Sequence, residues 1–259
     1  MLIVGLCALV FGLSISVGHD PVAQDLMKAL QPASAQHILG LDHLGRDVFA
    51  RLVHGAPRSI GLALFCVMSA SVIGIGLGLF AAIGGKLVDA LIMRLADLML
   101  AFPGILLALL FAGLMGGGIV PMLIGITLTL WPQFARMSRS VALGELQEPH
   151  VEAARLAGFP EHTILTRHIV PPVIQQTMPL ATLGIGSAVM SISSLGFLGL
   201  GLQPPIPEWG AMINEMLPYM ADAPIQIAAP CLALFLTVFG FALYGRSVSD
   251  RINRRAAAI

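Results

Sequence analysis

Residues 148–172 read EPHVEAARLAGFPEHTILTRHIVPP, and the reading of this stretch decides the fold. It gathers Glu148, Glu152, Arg155, Glu161, His162, Arg167 and His168 in a chain that is 57% hydrophobic and only 11% charged. Soluble domains carry about 25% charged residues. A mean hydropathy of +0.88 therefore marks an integral membrane protein, and the island is the part that must leave the bilayer. Pro149 opens a helix where a missing N–H costs nothing. Glu152 falls in the first turn, where the helix dipole favours an acid. EAARLAG is a strong helix former that ends at Gly158, a residue able to take the left-handed conformation that terminates helices. Pro160 forbids simple continuation. A second short helix from Glu161 leads to Pro171 and Pro172 and back into the membrane. Ala153 and Ala154 leave a small-residue face suited to docking into a groove on another protein.

Working outward, six apolar runs approach the roughly 20 residues that cross a bilayer: about 2–17, 59–83, 89–116, 119–138, 173–201 and 226–246. The fold expected is an all-α membrane protein with six transmembrane helices. The first run is read as a retained helix, because no basic segment precedes it as in a signal peptide. Arg136, Arg139, Arg155 and Arg167 surround the island, Arg246, Arg251, Arg254 and Arg255 close the chain, and Lys86 and Arg94 flank the 84–94 connection. Residues 202–225 hold no Lys or Arg. The positive-inside rule then places both termini, the 84–89 turn and the island in the cytoplasm, with 18–57 and 202–225 on the other side. Lys28, Arg46, Arg51 and Arg58 in the first loop run against it. Gly74, Gly76 and Gly78 in one span, and Gly184, Ser187, Ser191 and Ser194 on one face of another, are read as helix-packing positions. The three serines are also candidates for lining a path.

Several classes are excluded. Zero net charge offers nothing to a nucleic acid. No G-x-x-x-x-G-K-[ST] phosphate loop, H-E-x-x-H or G-x-S-x-G is present. Cys7, Cys66 and Cys231 sit far apart in apolar runs, as small apolar residues. His37 with His43 and His162 with His168 are six apart, which does not put two rings on one helix face, so no metal site is expected. His37 and His43 are the outward pair most worth testing for one. Arg94 and Asp97 are spaced to pair on a helix surface, with Asp89 at the water boundary. A proton-coupled secondary transporter is the alternative class, but it needs buried carboxylates that the spans lack.

Glu152-Ala153-Ala154, three residues, then Gly158 resembles the EAA signature of permease subunits of ABC importers. The family pattern continues after nine residues with I-x-L-P. Here His168-Ile169-Val170-Pro171 keep the Pro and carry His and Val for the Ile and Leu. HILGLDHLGRDVFARLVHGAPRSI (His37–Ile60), RLADLMLAFPGILLAL (Arg94–Leu109) and SSLGFLGLGLQPPIPEWGAMINE (Ser193–Glu215) are similar to the C-type permease of the dipeptide/oligopeptide/nickel branch, and with the island they cover most of the chain. The resemblance implies a type I importer permease in the bacterial inner membrane. Residues 1–57 would form the first helix and outward loop, and 58–259 the permease core, with the EAA loop at 139–171. Partners would be a homologous B-type permease, two cytoplasmic ATPases that hold the ATP and Mg, a periplasmic or lipid-anchored binding protein, and membrane lipid. The chain itself would catalyse nothing and need no cofactor. Glu152, Ala153, Ala154, Arg155 and Gly158 would seat on an ATPase. Ser187, Ser191, Ser194, Glu208 and Trp209 would face the path or close its outer mouth. Cargo would be a di- or oligopeptide, or nickel or a chelated metal, with a lean to the nickel branch in the wording around His37–Asp47 and Glu208–Glu215.

Overall fold

The computed structural model describes residues 20–256; the expected span 2–17 and Cys7 lie outside the described residues. The described chain is helical throughout apart from its connections. Helix α1 spans Val48–Ile83, α2 Gly85–Ala101, α3 Gly104–Leu114 and α4 Ile119–Glu145. Then come the short α5, Pro149–Leu156, and α6, Glu161–Ile164, which runs through a π turn at Leu165–Ile169 into α7, Val170–Phe197. A short α8, Trp209–Met216, precedes α9, Pro224–Ala256. Among the described residues, four helices are long and apolar enough to cross a membrane, or five if α2 and α3 count as one broken span.

Three boundaries differ from the hydropathy reading. Helix α1 begins eleven residues before the apolar run at Ser59, because Asp47 caps it: the Asp47 carboxylate accepts the Ala50 N–H at 2.8 Å. A division at 57/58 therefore falls inside α1. The run 89–116 is not one straight span. It breaks at Phe102-Pro103, where α2 and α3 meet at 91°, since Pro103 lacks the donor that would continue α2. At the island, α4 runs on to Glu145, well past residue 138.

Small residues set the packing. Gly74 and Gly78 turn toward α4, where a Cβ would stand 2.5 Å from the Trp131 carbonyl oxygen and 2.4 Å from that of Ala135. Gly76 faces open space and takes no part. Around this seam Ala63, Cys66, Ala70, Ala96, Ala108, Phe134, Ala135, Ala188 and Ile192 form the buried core. Large apolar side chains point away from it: Val72, Leu91, Leu110 and Phe235 are all exposed. That is the arrangement expected where lipid is the solvent and helices associate through close backbone contact.

Candidate functional site

One end of the bundle carries the island. Val151 and Ala154 on α5 are buried with Ala142, Ile164, Ile169 and Val173, a separate small core that anchors α5 and α6 to the ends of α4 and α7. Glu148 precedes the helix, Pro149 is its first residue and Glu152 lies in the first turn. At the other end Gly158 takes φ +81°. The Gly158 N–H donates to the Arg155 carbonyl and the Phe159 N–H to that of Ala154, the paired bonds of a Schellman stop. Of the sequence-assigned docking residues, Glu152, Ala153, Arg155 and Gly158 are exposed. Ala154 is not: it is 7% exposed and belongs to the anchoring face. Leu156, 85% exposed, and Phe159 give the free face an apolar character that sequence reading missed. Arg155 reaches across the turn to Glu161 at 3.3 Å. A cleft of about 630 Å³ lies behind, lined by Ile83, Leu146, Arg155, His162 and Leu165 among others.

The charges nearby pair between helices rather than along them. Asp97 on α2 bonds Arg136 on α4, and Asp89 bonds Arg139. Arg94 and Asp97 do not form the i,i+3 pair that their spacing favours, because α4 brings a guanidinium across the groove.

The opposite end holds a denser site. Arg46 and Arg51, each 1% exposed, converge on Glu215: Arg46 Nη2 donates to Oε2, and Arg51 Nη2 donates to the same oxygen at 2.9 Å. Arg46 Nε also donates to Asp42 at 2.6 Å. Two cations and two carboxylates thus neutralise one another inside the protein and tie the 20–47 loop to α1 and α8. Burial of such a group is tolerable only when every charge is paired.

Glu208 and Trp209, expected at a path or outer gate, are enclosed in the same region. Glu208 is 0% exposed. Its carboxylate caps α8 by accepting from the Gly210 and Ala211 N–H groups at 2.9 Å each, and also accepts from Ser193 and Ser59. Trp209 is 3% exposed, and its Nε1–H donates to the Leu52 carbonyl at 3.0 Å. Both residues join elements within the chain. Ser187, Ser191 and Ser194 lie on a less covered face of α7, their hydroxyls donating to carbonyls four residues back. Ser194 borders a hollow of about 280 Å³ with Met190, Phe197, Ile213 and Leu234.

His37 and His43 do not act as a pair. His37 Nδ1 bonds the helix-capping Asp47 at 2.7 Å, while His43 stacks on Tyr219 with ring centroids 5.5 Å apart. Asp42, His43 and Glu215 offer ligand atoms within 4.8 Å of one another. Both carboxylates already neutralise Arg46 and Arg51, and a dication placed there would meet two guanidinium charges. The donor set suits arginine rather than a metal ion.

The family described as binding-protein-dependent transport system inner membrane component matches residues 74–257. The nickel transport system permease protein NikC of Escherichia coli is 37% identical over 235 residues, covering 91% of this chain and 85% of that protein. The glutathione transport system permease protein GsiD of Pectobacterium atrosepticum is 41% identical over 222 residues, covering 86% and 73%. The fold is shared with a chain of the inward-facing MetNI methionine ABC transporter at a TM-score of 0.62 and 17% identity, covering 79% of this chain and 97% of that one. An amino acid ABC transporter structure with histidines gives a TM-score of 0.61 at 14% identity, over 80% and 94%. With the broken-span helical bundle and the capped island already in place, the chain belongs to the binding-protein-dependent inner membrane components: it is a multi-pass ABC importer permease of the dipeptide/oligopeptide/nickel kind.

Proposed function

We propose that this chain forms half of an ATP-driven import path beside a homologous permease, and that α5 seats in a cleft of a cytoplasmic ATPase that holds the ATP and Mg. The observation that carries the coupling role is the two-faced construction of α5. Val151 and Ala154 are rooted in a core continuous with α4 and α7, while Glu152, Ala153, Arg155, Leu156 and Phe159 are left uncovered on a helix too short to persist alone. A helix held rigidly on one side and bare on the other can pass a displacement from a motor into the spans. ATP-driven closure of the ATPases would draw paired coupling helices together and open the bundle outward, and hydrolysis would reset it. Both termini and the island would then be cytoplasmic, and a binding protein would deliver cargo to the opposite end.

The cargo proposed is a small peptide or a metal inside an organic chelate, not a bare divalent cation. The less covered face of α7 presents hydroxyls and a thioether, from Ser187, Ser191, Ser194 and Met190. The carboxylates of α2 are held by Arg136 and Arg139. A naked dication would need oxygen or imidazole ligands along its way. The names of NikC and GsiD, which carry nickel and glutathione, fit either arm.

In the complex assembled with its partners in proteoliposomes, Glu152→Lys or Gly158→Pro is expected to abolish cargo-stimulated ATP hydrolysis while the chain still inserts. Wild-type coupled turnover in both variants would remove the docking role. Calorimetry of the cognate binding protein against di- and tripeptides, Ni²⁺ and chelated Ni²⁺ decides the cargo; tight binding of Ni²⁺ alone and nothing else would overturn this assignment.

A further inference from the structure

We propose that His150 and His168 form a two-imidazole site for a divalent transition-metal ion on the island. The residues come from different elements: His150 is the second residue of α5, and His168 lies in the π turn that leads into α7. Their ring centroids are 5.5 Å apart, and the planes are tilted by 43°. Two imidazoles on one tetrahedral ion, at a metal–nitrogen distance of ~2.1 Å, place their ring centres ~5 Å apart. The observed separation is therefore already close to a chelating one. Parallel stacked rings would present faces to each other, whereas a tilted pair can bring two nitrogen edges toward a common point.

The rings have no competing engagement. Neither takes part in a hydrogen bond or ion pair among the described residues. His150 is exposed and His168 half-buried, so an ion can reach the pair from water and complete its coordination with solvent. The exposed carboxylates of Glu148 and Glu152 lie two residues to either side of His150 and favour a cation, against the charge of Arg167 beside His168 and the positive end of the α5 dipole. Neutral imidazole prefers Zn²⁺, Cu²⁺ and Ni²⁺ over the hard ions Mg²⁺ and Ca²⁺. A bound ion would tie the first turn of α5 to the head of α7, adding a link to the apolar core beneath and to the Arg155–Glu161 pair across the turn.

The test uses the purified full-length chain in nanodiscs, titrated with Cu²⁺ and followed by electron paramagnetic resonance. Zn²⁺ competition supplies the affinity. A spectrum with two equivalent nitrogen ligands is expected, lost in His150→Gln and in His168→Gln and retained in His162→Gln, with apparent affinity at least tenfold weaker in the first two variants. A one-nitrogen spectrum in the wild type, or equal affinity in all four proteins, overturns the site. Because binding is read on the chain alone, the outcome is independent of whether α5 engages an ATPase.

Discussion

Arg51 concentrates the residue-scale logic. Its guanidinium is 1% exposed and shares Glu215 with Arg46, with Asp42 3.6 Å from its Nε. Removing it leaves buried negative charge uncompensated, so Arg51→Ala should cost about 3–5 kcal/mol, read as a fall in the thermal midpoint of the detergent-solubilised protein. Arg51→Lys should recover only part, since one ammonium cannot reproduce a planar fork. Arg136→Ala removes a pair whose side chains are 50% and 56% exposed and should cost at most about 1 kcal/mol. Equal losses in Arg51→Ala and Arg136→Ala would refute the buried-cluster account. Glu208→Ala should also destabilise: it removes a helix cap worth about 1 kcal/mol and strands buried donors at ~1–3 kcal/mol. Asp42 and Arg46 are four residues apart and locally legible in the sequence, but the convergence of both arginines on Glu215 was not. The HLGRD run before α1 was visible, but its partner Glu215 lies 169 residues from Arg46 and 164 from Arg51. No local spacing rule reaches that far. The same limit explains Asp97, where a local partner was available and a cross-helix one won.

At the scale of the element, hydropathy reads lipid contact rather than helix. That is why the apolar runs located α1, α4, α7 and α9 but misplaced their ends: α1 is helical for eleven residues that never needed to be oily. The island was read more accurately because its signals are chemical. Pro at the start, Gly at φ +81° and Pro beyond it specify caps irrespective of surroundings. What those signals could not give was the direction of each face, so Ala154 was assigned to docking when it serves anchoring. The break at Pro103 was written in the sequence, yet proline is tolerated within membrane helices, and only the packing of α3 on α4 shows it here as a turn. Glycine faces divide in the same way. Gly78→Ala drives a methyl against the Ala135 carbonyl and the Ser138 Cβ, and should cost about 1–3 kcal/mol as the helices separate. Gly76→Ala meets nothing within 4 Å and should be neutral or gain up to about 1 kcal/mol of helix propensity. Thermal denaturation of the two variants side by side separates them. Indistinguishable midpoints would mean that the α1–α4 seam is not set by glycine.

For the whole molecule, the charge on the two ends becomes lopsided once pairing is taken into account. The loop end holds four cations that run against the positive-inside rule. Two of them, Arg46 and Arg51, are sealed against Asp42 and Glu215, and Lys28 meets Asp25 at 3.1 Å. What remains exposed there is close to neutral. At the island end Arg155 is likewise paired, to Glu161 at 3.3 Å, but Arg167, Arg246, Arg251 and Arg254 stay at the surface without an ion pair among the described residues. This asymmetry predicts that α1, α4, α7 and α9 insert with the island toward the cytoplasm. Single cysteines at Met27, 92% exposed on the loop end, and at Leu156, 85% exposed on the island, make the two ends addressable. They are placed in a background where Cys7 and Cys231 are serine and Cys66 is alanine. An impermeant maleimide should label Met27→Cys in right-side-out vesicles only and Leu156→Cys in inverted vesicles only. Labelling of both from the same face would break the antiparallel path of the helices. Labelling with the faces exchanged would leave the fold intact but put α5 out of reach of any cytoplasmic motor, so this measurement bears on the coupling proposal as directly as a substitution in α5 itself.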